Sequence, residues 1–335
     1  MKISTKDILK LIISLGLTAL VIFAIKDSVD WNQLGSSLLE IKYGWVVLSI
    51  GLSIVSHYLR AYRWRMLLEV GGHATKSLTL YLALMTGYLA NMAFPRLGEV
   101  VRCTLLKEEY DIPVSYSLGT VVTDRLLDLV MLGVATVILL ILDFKLLSSY
   151  FIKFVDDKVP FLAQYWLLLL LLGIAGLFLL IWLIKKAKED DKQGSFFYKV
   201  GSFVTSVLSG MKSVTKVKNP LAFWLSTTGI WLMYFLMLYV ISFGFEATDE
   251  MSPTAGLAVL VMGSLGMVAP VNNGIGAYQV FVAEILLLYG ITYNDGFIFA
   301  VVSHGSQVAA VLVIGFVSLM ILNLRKRKKR LATEQ

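Results

Sequence analysis

Apolar runs close to 20 residues long recur along this chain, and each is enough to cross a hydrocarbon core of about 30 Å as a helix. Of its 335 residues 57% are hydrophobic and 16% charged, with a mean hydropathy of +0.76. Soluble domains carry about 25% charged residues. The fold class that follows is an all-α polytopic membrane protein. Full spans are expected near 8–25, 44–60, 117–142, 165–184, 220–243 and 297–322. The first lacks a small-x-small cleavage site after its apolar stretch, so an uncleaved helix is expected rather than a signal peptide.

Two further apolar segments, 78–94 and 254–271, end differently. Each runs into a proline and then a glycine-bearing polar turn: Asn91-Met92-Ala93-Phe94-Pro95-Arg96-Leu97-Gly98-Glu99 in the first half, Ala269-Pro270-Val271-Asn272-Asn273-Gly274-Ile275-Gly276 in the second. Proline removes a donor and disfavours helix at the preceding residue. Glycine permits positive φ and close backbone approach. Such a break at membrane depth is tolerated only where protein or water surrounds it, and paired breaks in the two halves of a chain point to a transporter-type site. Pro95, Gly98, Pro270, Gly274 and Gly276 are the expected hinge positions. The two segments are expected to be re-entrant hairpins.

Lys and Arg test that arrangement. With the amino terminus in the cytoplasm and both broken segments re-entrant, cytoplasmic stretches hold 24 Lys and Arg and outer stretches 5. This is a strong positive-inside bias. Residues 44–142 and 220–322 then share one plan, span, broken hairpin, span, run through the membrane in opposite senses. That is an inverted repeat, with coincidence of hydropathy as the alternative. The whole chain, 1–335, reads as one transmembrane domain: first helix, repeat A (44–142), a linking span with a cytoplasmic amphipathic helix (165–219), repeat B (220–322) and a basic tail (323–335). Both termini are expected in the cytoplasm of a multi-pass protein of the cell membrane. The basic residues Arg325 to Arg330 directly follow an apolar helix, which favours orientation and anionic-lipid contact over nucleic acid.

Charge inside a span is costly, about 2.5–3.5 kcal/mol at the bilayer centre. Asp124, Arg125 and Asp128 are followed by fourteen uncharged residues, 129–142, which cover about 21 Å as a helix and leave the charged turn inside the apolar zone. An internal Arg125–Asp128 pair and a pair with Glu99 are both open, and so is a purely structural knot fastening hairpin to helix. In the second half His304 and Gln307 precede fifteen apolar residues and sit beside a hairpin carrying Asn272, Asn273, Gln279 and Glu284. His304 also fits a plain helix–helix hydrogen bond, and the asparagines fit caps for freed backbone groups. Arg60, Arg63 and Arg65 are read as ending a span at the cytoplasm; Arg60 and Arg63 share a helical face that suits a phosphate. A lone cysteine, Cys103, and three scattered histidines offer no disulfide framework and no metal site. No cofactor motif is present; Gly274-x-Gly276 follows no strand, which dismisses a dinucleotide fold.

The strings Arg60-Ala61-Tyr62-Arg63-Trp64, Pro95-Arg96-Leu97-Gly98-Glu99-Val100-Val101-Arg102 and Asp124-Arg125-Leu126-Leu127-Asp128 resemble the lysylphosphatidylglycerol synthase transmembrane-region family of flippase-like membrane proteins. The Pro270 to Gly276 turn fits that family's second broken segment, and the resemblance spans nearly the whole chain. Where the family pattern carries glutamate, this chain has Asp124. The resemblance implies transbilayer movement of a polar lipid. Bifunctional members carry a soluble aminoacyl-transfer domain; with the sequence ending at Gln335, lysyl transfer by this chain is not expected. Archaeal relatives linked to glycolipid synthesis leave the headgroup open.

The expected function is therefore flipping of an aminoacylated phospholipid or glycolipid. Arg60, Arg63, Asn91, Arg96, Glu99, Arg102, Asp124, Arg125 and Asp128 would receive the headgroup from inside, and Asn272, Asn273, Gln279, His304 and Gln307 on the outer side. Membrane lipids with polar or anionic headgroups are the expected partners; a lipid-modifying enzyme and a second copy of the chain are open partners. Two other readings stand beside it: an intramembrane enzyme using Glu99 and Asp128 as acid and base, and a scaffold with no substrate.

Overall fold

The computed structural model describes residues 16, 18–20, 23, 29–94, 97–148, 214–269 and 271–333. Every regular element among them is helical. The chain divides into two compact units, one of residues 1–139 with 217–335 and one of residues 140–216. Most of the second unit, including the expected span 165–184 and nearly all of the amphipathic segment 196–217, lies outside the described residues. So do Pro95, Arg96, Pro270, the side chain of Asn272 and most of the first expected span.

Nine α-helices have both ends among the described residues, beside two short 3-10 helices (Glu246–Thr248 and Asn272–Gly274): α1 (Trp31–Glu40), α2 (Tyr43–Val70), α3 (Ser77–Ala93), α4 (Leu97–Tyr110), α5 (Val114–Leu142), α6 (Pro220–Ser242), α7 (Pro253–Val268), α8 (Ala277–Leu287) and α9 (Tyr293–Thr333). Local sequence sets their starts. Asp30 caps α1 by accepting from the amides of Asn32 and Gln33; Asn219 and Ser252 cap α6 and α7, each with proline at the first helical position. Among the described residues four helices are long and apolar enough to cross a membrane: α2, α5, α6 and α9 over Tyr293–Lys328. Runs of large apolar side chains remain exposed on them, such as Leu129, Val130, Val137 and Ile141 on α5 and Val313, Phe316 and Met320 on α9. Such a surface suits lipid.

Two helix boundaries differ from the sequence reading, for related reasons. α2 does not end near residue 60; it continues to Val70, so Arg60, Arg63 and Arg65 lie within the helix and not at its end. α9 does not stop at 322 but stays helical through the basic tail to Thr333. In both places arginines and leucines follow the apolar run, joined by lysines in α9, all of them good helix formers, with no proline or glycine to break it.

The broken segments pack as pairs. α3 lies against α4, and α7 against α8. At the first turn, a side chain on Gly98 would run into the Gly87 carbonyl and the Asn91 amide, so this approach of α3 and α4 requires glycine. The second turn is built from left-handed residues, with φ of 50° at Asn273, 72° at Gly274 and 86° at Gly276.

α9 ties the two pairs together. Gly296 backs onto Ala283 and His304 meets Gln279, both of α8, while further along Gly315 packs on Met85 and Leu89 of α3. Beyond that, Arg325 reaches Thr79 at the start of α3, and Lys326 pairs with Glu108 near the end of α4 at 2.9 Å. The α7–α8 pair thus lies along the first half of α9 and the α3–α4 pair along the second, with their open ends at opposite ends of that helix. The turn Asn272–Gly274 packs against α3, so the two breaks approach each other along the middle of α9. Around the first break, Trp64 and Leu68 of α2, Leu80 and Met85 of α3, Cys103 and Leu106 of α4 and Val121 of α5 form a buried apolar core.

Candidate functional site

α2 and α5 meet through charge. Arg60 and Arg63, one turn apart on α2, face Asp124 and Asp128, one turn apart on α5. Arg60 Nη1 donates to Asp124 at 2.9 Å, and its Nη2 pairs with Asp128 at 2.7 Å. Arg63 Nη2 donates to both carboxylates, at 2.6 Å and 2.8 Å, and its Nε to Asp124 at 2.9 Å. Each guanidinium therefore spans both carboxylates, in the forked geometry that arginine provides and lysine does not. Arg60, Arg63 and Asp124 are buried; Asp128 retains 17% exposure of its side chain. Tyr234 of α6 accepts from Arg60 Nη2 at 2.9 Å, and Trp64 Nε1 donates to Thr120 Oγ1 at 2.8 Å, locking α2 to α5 one turn further on.

This arrangement corrects one sequence reading and decides between two alternatives that were open. Arg60 and Arg63 are not solvated boundary residues; the helix carries them past the expected edge into contact with α5. Arg65 alone resembles the expectation, partly exposed and paired with Glu69 at 3.1 Å. Nor does Arg125 pair with Asp128. Arg125 lies on another face of α5 and donates to Glu99 Oε1 of α4 at 2.9 Å, the open alternative.

A second cluster adjoins the first at the α3–α4 break. Leu84, Gly87, Tyr88 and Asn91 of α3, Gly98, Glu99 and Arg102 of α4 and Arg125 of α5 line a narrow cavity. Asn91 Oδ1 accepts from the Gly98 amide at 2.6 Å, which satisfies a backbone donor freed by the break. Arg102 is buried, its guanidinium 4.8 Å over the Trp64 ring.

The α7–α8 break uses the same device with neutral groups. Gln279 Oε1 accepts from the Gly276 amide at 2.8 Å, and its Nε2 lies 3.2 Å from His304 Nδ1. The Tyr278 ring lies 4.8 Å from that of His304, tilted by 33°. Gln307 turns elsewhere, donating to Ser49 Oγ of α2, which in turn donates to the Met237 carbonyl. Asn273 shapes the turn through its left-handed backbone. Apart from Arg96 and the Asn272 side chain, which lie outside the described residues, the structure places the residues expected to receive the headgroup from inside in two adjoining clusters on α2, α3, α4 and α5, brings Gln279 to His304 of α9, and turns Gln307 toward α2. Tyr234, Trp64 and Ser49 complete these clusters and were not singled out from sequence. Trp64 stands between two of the arginines, and that neighbourhood was the available signal; Tyr234 and Ser49 had none.

A bundle of long apolar helices, two broken helix pairs and a buried ion network between them define a polytopic helical membrane protein. Residues 8–315 match the lysylphosphatidylglycerol synthase TM region family, and the chain belongs to that family. It is 23% identical over 245 residues to the UPF0104 membrane protein MJ1595 of Methanocaldococcus jannaschii, covering 72% of this chain and 69% of that one. No solved structure matches it.

Proposed function

We propose that this chain moves a polar-headgroup lipid across the bilayer. The acyl chains stay in lipid while the headgroup passes between the two broken pairs, α3–α4 and α7–α8. The observation that carries this reading is their placement along opposite halves of α9, with the breaks approaching each other beside buried charged and amide clusters. A static scaffold has no need of two breaks in helices whose backbone groups must then be satisfied by Asn91 and Gln279. The pairs act as re-entrant hairpins of an inverted repeat, α2 to α5 and α6 to α9. The charged cluster opens toward the cytoplasm and the amide cluster toward the outside, in a cell membrane with both termini inside. Arg125 and Glu99 face the headgroup, while Arg60, Arg63, Asp124 and Asp128 hold α2 and α5 in place beside it. Membership of the lysylphosphatidylglycerol synthase TM region family supports an aminoacylated phospholipid or a glycolipid as cargo.

Reconstitution in liposomes tests this. Headgroup-labelled lipid in the inner leaflet is protected from a membrane-impermeant quencher in protein-free vesicles; the protein should expose it. Arg125→Ala and Glu99→Ala should each abolish exposure while remaining folded. The reading is wrong if correctly folded protein binds a labelled lipid yet leaves it protected.

A further inference from the structure

Among the described residues the charges of these clusters do not balance. Four guanidiniums, Arg60, Arg63, Arg102 and Arg125, stand with three carboxylates, Glu99, Asp124 and Asp128. The ion pairs account for Arg60 and Arg63 with the two aspartates and for Arg125 with Glu99. Arg102 is left over: among the described residues no carboxylate pairs with it. It is 3% exposed, and its Nη2 has no hydrogen-bond partner. One turn away on the same helix, and lining the same pocket, Glu99 Oε2 is also buried without a partner. A buried donor or acceptor left unmade is expensive, and a buried charge more so. Two such atoms of opposite character, a cationic donor and an anionic acceptor, line one cavity at the break of one hairpin.

We propose that this cavity binds a phosphate group. Arg102 donates to the phosphate oxygens, and Glu99 Oε2 accepts from a hydroxyl or ammonium group next to that phosphate. The inference rests on the transport reading and adds the substrate's chemistry: a phosphate-bearing headgroup with a hydrogen-bond donor close by. The Trp64 ring beneath Arg102 orients the guanidinium and leaves its edge free to donate. The lining side chains leave no space of water size between them, so a headgroup enters only as they part. The Glu99–Arg125 pair stands at the mouth, with the Arg125 side chain 47% exposed and that of Glu99 23%. Parting of that pair admits the headgroup and turns Glu99 toward it.

Native mass spectrometry of the full-length protein in detergent tests the site. The probes are phosphatidylethanolamine, phosphatidic acid (phosphate without the neighbouring donor), diacylglycerol (no phosphate) and inorganic phosphate as competitor. The wild type should retain both phospholipids and release diacylglycerol. Arg102→Gln should weaken phospholipid retention about tenfold or more, as expected for loss of a hydrogen bond to a charged group, with Arg102→Lys between. Glu99→Gln should weaken phosphatidylethanolamine and leave phosphatidic acid unchanged. Competition by inorganic phosphate in the wild type but not in Arg102→Gln would make a free anion the ligand; absence of competition makes it the lipid. Retention of diacylglycerol equal to phospholipid overturns the proposal, as does wild-type retention by Arg102→Gln with an unchanged melting temperature. If Arg102→Gln does not fold, the comparison of lipids on the wild type decides alone. If retention follows this pattern but no lipid crosses in liposomes, the phosphate site stands and transport falls. Transport with headgroup-blind retention does the reverse.

Discussion

Replacing Asp124 by asparagine should be among the most damaging conservative changes in this protein. The Asp124 carboxylate is 1% exposed and accepts from Arg60 Nη1 at 2.9 Å, Arg63 Nε at 2.9 Å and Arg63 Nη2 at 2.6 Å. Asparagine keeps the shape and one acceptor oxygen but removes the charge, leaving two buried guanidiniums to share Asp128. Removing one partner of a buried ion pair costs about 3–5 kcal/mol. Because Asp128 still bridges both arginines, the lower end, about 3 kcal/mol, is expected; for a chain of this size that lowers the melting temperature by roughly 6–10 °C. The half-exposed pair Glu99–Arg125 provides the contrast, since solvent-screened pairs contribute about 0–1 kcal/mol and Glu99→Gln should shift the midpoint by only about 2 °C. The charge-balanced double variant Asp124→Leu with Arg63→Met should recover much of the loss, since it leaves Arg60 with Asp128 and fills the site with apolar atoms. Thermal unfolding of purified protein followed by tryptophan fluorescence measures these three, together with the single variants Asp124→Leu and Arg63→Met, against the wild type. Equal midpoints for Asp124→Asn and Glu99→Gln, or a double variant no better than the sum of its singles, would refute the pairing described here.

Backbone geometry yields two further expectations. Gly98→Ala should destabilise the protein by about 1–3 kcal/mol, because the added methyl meets the Gly87 carbonyl and Asn91 and forces α3 and α4 apart; the same unfolding assay reads it, and Gly119→Ala, with open space at its Cβ position, serves as the control. Asn273, at φ 50°, should accept glycine at little cost, whereas Asn273→Val should lose about 1–2 kcal/mol for placing a β-branched residue in the left-handed region; a valine variant as stable as the wild type would show that the turn takes another conformation.

Much of this architecture was legible because its signals are local. The expected segments 78–94 and 254–271 correspond to Ser77–Ala93 and Pro253–Val268, since proline and glycine punctuate a chain within a few residues. The uncharged run after Asp128 likewise located a charged turn well inside a long helix. What sequence could not supply was the partner across space. A basic residue closing an apolar run looks the same whether it meets water or a carboxylate on a helix 60 residues away, so Arg60 and Arg63 were read as a boundary. The caps at the breaks also differ in reach: Gln279 serves the N-cap amide three residues behind it, as the capping-box spacing allows, whereas Asn91 serves an amide seven residues ahead, which no spacing rule anticipates. The surplus guanidinium of Arg102 emerges only once every other pair is assigned.

The sidedness of the hairpin ends bears most directly on the whole account. Single cysteines at Lys76, Asp111, Ser252 and Thr292, all exposed positions flanking the two hairpins, can be introduced with Cys103 replaced by alanine and labelled with an impermeant maleimide in sealed oriented vesicles. The account predicts that Lys76 and Asp111 label from the cytoplasmic side and Ser252 and Thr292 from the opposite side. Labelling of the two ends of either hairpin from different sides, or of all four positions from one side, would contradict it.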